Sequence, residues 1–197
     1  MKTSDLISAV AAVISAIALI SSVKSCQVSD QALQMTMLEY QSSRSLVIHG
    51  EVQKDNTSIK LTPQDQAFLL QQVHFLFPSN LGDGKRPALA PDFVLHLPSE
   101  MAKLKGHLAK KFPRKEDVVT VGLEARLPFL IETFATVKGA NVRDRSIYTL
   151  NFQFSIPQSA DKEPDIKLLG ISFNSRLVPE QNSEKELEKV WELASKR

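Results

Sequence analysis

Apolar positions are spread unevenly along this chain. Residues 6–23, LISAVAAVISAIALISSV, run for 18 residues without a charge, a Pro or a Gly. As a helix that stretch is about 27 Å long, close to the hydrocarbon thickness of a bilayer. Lys2 and Asp5 flank it on one side and Lys24 on the other, where a lysine can snorkel to the headgroups. Its four serines can return their hydroxyls to carbonyls one turn back, which makes them tolerable in lipid. The pattern predicts a single membrane-spanning anchor, and two other readings stay open. A cleaved signal peptide would place Val23 and Ser25 just before Cys26, with Cys26 lipidated in one variant, although Lys24 falls where a lipidation signal has a small residue. A buried core helix is the other, and an element apolar on every face fits that poorly.

Ser8, Ala12 and Ala16 lie four apart and share a helix face. Small residues at that spacing let two helices approach closely, and an Ala-rich span also shows it by chance. Lys2 and the amino group weighed against Lys24 lean weakly toward an exported body. Residues 25–44 carry Val28, Ala32, Met35 and Leu38 at helical spacing with no Gly or Pro. They predict a helical stalk, whose apolar stripe could pair with a second copy or pack on its own domain.

From residue 45 the apolar period shortens toward two, the mark of strands. Strands are expected at 45–53, 58–61, 73–77, 92–97, 118–126, 129–137, 146–156 and 166–178, the last broken at Gly170 or Asn174. Pro128 is expected to separate two of them. Thr62-Pro63-Gln64-Asp65 has the order of a helix start, which predicts one helical turn before 73–77. A helix is expected over 100–112, and a final one opens on Ser183 and Glu186 as a capping box, with Leu187, Val190, Trp191 and Ala194 on one stripe. The fold class expected is α+β, mainly β: a transmembrane anchor (1–24), a helical stalk (25–44) and an antiparallel β-sandwich-like domain (45–197) with two or three helices. The layout resembles that of many small bacterial proteins with one amino-terminal span and a β-rich body. That similarity of arrangement implies a bacterial inner membrane and carries no functional residue across.

Composition then narrows the function classes. Apolar residues make up 43% and charged residues 23%, close to a globular average. A net charge of +2 does not by itself imply nucleic acid. The single cysteine excludes an internal disulfide framework and a Cys-based zinc site. The strongest charge signal is 101–115, which holds six cations and no acid. Lys103, Lys110, Lys111 and Arg114 on that helix are candidates for contact with lipid headgroups or phosphate, against the plainer reading of a solvated helix face.

His49, His74, His96 and His107 have no metal-site spacing, and His74 and His96 are expected to turn away from the Phe-bearing faces. No nucleophile or phosphate-loop motif is present. Glu124 sits in an apolar strand, where it is an exposed face residue or a partner for Arg126 more readily than an acid catalyst. The expectation is a membrane-anchored, non-enzymatic binding or interaction protein without metal or cofactor. Its partners would be the lipid bilayer, another protein and a second copy through the anchor, with no nucleic acid. A membrane-bound enzyme with a dispersed site, and an effector or sensor acting through self-association of the anchor, are the competing functions.

Overall fold

The computed structural model describes residues 24–25, 27–33, 45–112, 119–159 and 162–195. The expected anchor with Ser8, Ala12 and Ala16, and the cation Arg114, lie outside the described residues. The chain divides into two compact units, Met1–Ser45 and Leu46–Arg197. In the first, residues 24–25 and 27–33 are helical. Among the described residues no helix is long and apolar enough to cross a membrane.

The second unit is mainly β, in two antiparallel sheets. Strands β1 (Ile48–Val52), β2 (Ser58–Pro63) and β5 (Val94–His96) form one, in the order β1-β2-β5. The other is built from β3 (Phe68–Leu76), β4 (Arg86–Pro87), β6 (Thr120–Val137), β7 (Ala140–Ile156) and β8 (Asp165–Arg176), in the order β4-β3-β6-β7-β8. Ile59, Leu61 and Leu95 of the small sheet bury against Phe75, Phe129, Tyr148 and Phe152 of the large one. The Ile48 N–H donates to the Tyr148 hydroxyl at 2.8 Å, a buried bond between the sheets. Two helices complete the unit, α1 (Pro98–Lys111) and α2 (Ser183–Ser195).

The β6–β7 hairpin is the longest element. Lys138 and Gly139 turn it with φ of 48° and 77°, and two successive positive φ values match the right-handed strand twist. Val137 pairs with Ala140 and the ladder runs on to Thr120 and Ile156. The expected break at Pro128 does not occur, because β6 continues through it. The pairing with β3 stops at Leu130, so Pro128 sits where β6 has β7 on one side only and its missing N–H costs no ladder bond. Strand β8 does carry irregularities beside Gly170 and Asn174, where its pairing with β7 shifts. The helical turn expected at 62–65 is absent. β2 extends to Pro63, and Asp65 instead closes a tight turn, its carboxylate accepting from the Ala67 N–H at 2.9 Å. The cap of α2 also moves by one residue: Asn182 accepts from the Lys185 N–H at 3.0 Å, while the Ser183 hydroxyl is bound to Arg145.

Candidate functional site

A cavity of about 500 Å3, partly open, lies along residues 120–127 of β6. Its floor is the strand edge that β3 does not reach. Leu104 and Leu108 of α1, with Phe112 just past its end, form one wall, and Trp191 and Ala194 of α2 the other. The two helices meet at their C-terminal ends. The His107 and Trp191 rings are 5.6 Å apart, and the Lys111 ammonium donates to the Ser195 carbonyl at 2.9 Å. Burial, with help from Lys111 and Lys110, pushes the His107 imidazole below its ordinary pKa, which favours the neutral ring.

Several residues shape this cleft from a distance. Gly122 is required because the Phe154 ring crosses it; a Cβ there would lie 2.0 Å from the ring. Phe154 in turn stacks obliquely on Phe112, with centroids 5.3 Å apart, and so ties β7 to the end of α1. A bulge leaves Leu123 and Glu124 opposite a single residue of β7, and both are exposed. Arg145 holds the segment leading into α2 by donating to the carbonyls of Pro179, Val178 and Gln181 at 2.7, 2.9 and 3.4 Å. Glu188 accepts from the Ser79 N–H at 2.6 Å, fixing α2 to the loop after β3.

A second group of polar side chains lies across the outer face of the large sheet. Glu132 is buried between the Lys85 ammonium and the Arg143 guanidinium. Its burial pushes the carboxyl up, but hydrogen bonds from the two cations outweigh it and hold the pKa below the ordinary value. His74 pairs with Glu132 across β3 and β6, and its buried Nδ1 finds no partner. Two other buried acids serve the packing. Glu100 takes Arg86 at 2.5 Å, and Asp144 takes Arg176 at 2.5 Å and the Ser146 hydroxyl at 2.6 Å. Among the described residues no three His, Cys, Asp or Glu are placed to hold a metal ion.

The basic residues singled out in the sequence are not brought together. Lys103 is ion-paired with Asp83, Lys105 lies 3.5 Å from Glu163, and Lys111 caps α2. Lys110 stands exposed on α1. His74 and His96 fall on different sheets. Glu124 is exposed, 4.0 Å from Arg126. Arg145, Phe154 and the open edge of β6 were missed; Gly122, an isolated glycine in an apolar strand, was the one available signal.

These features define a mainly β, sandwich-like unit with a cleft at a strand edge overhung by two helices. No family model matches the chain, and no curated protein or solved structure is similar to it.

Proposed function

We propose that this chain is a single-pass membrane protein whose β-rich body binds a partner at the bilayer surface without catalysing a reaction. The uncharged 6–23 stretch carries this reading: its length fits the hydrocarbon core, and it holds no charged side chain that would have to stay in water. The cleft beside β6 supports the binding role. It is apolar on both walls, and it lacks a converging acid–base pair among the described residues. Of its ionisable groups, His107 packs on Trp191, Lys111 is bound to Ser195, and Glu124 and Arg126 point to solvent. Tethering confines such a module near its ligand and raises the effective concentration, a benefit that needs no catalytic residue.

Expression of the full chain with a reporter fused after Arg197 tests the proposal. The expected result is recovery at full length in the membrane fraction, resistant to an alkaline wash, with the reporter active on the exported side. Recovery in the aqueous fraction with residues 6–23 uncut overturns it.

A further inference from the structure

We infer that the open edge of β6 takes up an extended peptide from another protein as an added strand, seated between that edge and the helices. This rests on the reading of the body as a binding module and names its ligand class. β6 pairs with β7 from Thr120 onward, whereas β3 joins it only from Leu130. Along 120–127, no described strand lies on the β3 side. At a strand's rise this is about 26 Å of edge. Backbone N–H and C=O groups pointing that way lack a ladder partner, and another backbone matches them in both spacing and polarity.

Of the other edges of the large sheet, one is partly taken and one is short. The Asn56 side chain lies along β8, donating to the Ile166 carbonyl at 2.8 Å and accepting from the Leu168 N–H at 2.9 Å. β4 has two residues. By contrast, Val121 and Leu123 beside the cleft are 55% and 66% exposed.

The cleft also selects its occupant. The ends of α1 and α2, joined by the Lys111 bond to Ser195, stand beside the edge, so they obstruct a strand that brings its own sheet more than a lone strand. A second copy of the body pairing edge to edge is therefore disfavoured. The rim carries two cations, Lys111 and Arg126, against the single acid Glu124. The ligand that fits is a single extended segment with an apolar side chain on the Phe112 and Trp191 walls and a carboxylate toward the end of α1.

A displayed library of random octapeptides selected on the full chain in detergent micelles provides the test. The selected peptides are expected to alternate apolar and polar residues and to carry an acid. N-methylation of alternate peptide amides, which removes ladder bonds and leaves the side chains, should weaken binding at least tenfold. Binding should slow hydrogen exchange at those amides of 120–127 that point away from β7. The exposed-site variant Leu123→Asp should fold normally and also bind at least tenfold more weakly. Selection of no peptide, or indifference to N-methylation, overturns the inference. Peptides that protect another segment overturn it too, while leaving the binding-module reading intact. Slow exchange in the ligand-free chain at those amides of 120–127 that point away from β7 also refutes it, since a segment of this chain would already fill the edge.

Discussion

Gly122 and Phe154 show how little room single residues have here. The ring covers the glycine directly across the β6–β7 ladder, so a methyl group must push it toward Phe112. Gly122→Ala is expected to cost about 1–3 kcal/mol, as overpacking does, measured by urea unfolding of the purified chain. Tyr148 gives a prediction with a pH sign. Burial pushes its phenol up to about 12, further raised by Asp144 and opposed by the Ile48 bond and Arg176. An unfolded tyrosine ionises near 10. Between these values the unfolded chain loses a proton that the folded chain keeps, so this group's contribution is intact below pH 10 and falls as pH rises toward 12. Tyr148→Phe should remove that alkaline loss relative to the parent and, at pH 8, cost about 1–3 kcal/mol through the unpaired Ile48 N–H. Denaturant midpoints at pH 8, 10 and 11 compare the two. An identical alkaline slope in both chains would dispose of the tyrosine argument.

At the scale of elements, α2 depends on contacts made far away in sequence. Leu187 and Val190 pack on Leu130, Ile147 and Leu177 of the outer sheet face, while Arg145 bonds the chain just before the helix. Truncating Arg145 to alanine leaves those carbonyls without their charged donor, at a cost of about 2 kcal/mol. Hydrogen exchange should then quicken in α2 and leave the β6–β7 hairpin unchanged; equal acceleration in both would mean that Arg145 supports the whole fold. In the hairpin turn, Gly139→Val puts a β-branched residue at a φ of 77°. A loss of about 1–2 kcal/mol is expected, on the scale of left-handed strain, read from the thermal midpoint.

Much of this element plan was legible. Lys138-Gly139-Ala140-Asn141 between apolar runs reads as a turn, of which Lys138 and Gly139 form the turn while Ala140 and Asn141 join β7. Gly170 with Asn174 marked where the pairing of β8 shifts, although the strand runs on without the expected break. Each signal is a backbone preference expressed within a few residues. Pro128 was misread for the opposite reason: whether a proline interrupts a strand depends on whether another strand lies on its N–H side. Ser183 likewise has the chemistry of a cap, yet Arg145 holds its hydroxyl.

For the whole molecule, the membrane anchor is the proposal of widest consequence. Ser8, Ala12 and Ala16 would face a second copy if the anchors associate. Ala12→Leu fills that face, so a drop in oligomer size in detergent is expected on that view; an unchanged size removes self-association through this face. The buried acids belong to this scale too. Lys85, Arg86 and Arg176 reach Glu132, Glu100 and Asp144 across 47, 14 and 32 positions. No pattern in the sequence paired them. A buried carboxylate left without its cation carries its full desolvation cost, so these pairs constrain which sheet arrangement is acceptable.

What the sequence by itself determined was local: the alternation that makes strands, the apolar stripes of α1 and α2, the turn at Lys138 and Gly139, and an apolar stretch at 6–23 suited to lipid. These follow from side-chain period, backbone preference and transfer from water, which act over neighbouring residues. Only the tertiary structure decided that β3 stops short along β6, that two helix ends overhang the remaining edge, and which cation each buried acid receives. Hydrogen-bond partners across a sheet and neighbours in a core are set by chain segments tens of residues apart, and the chemistry of the cleft arises from that meeting.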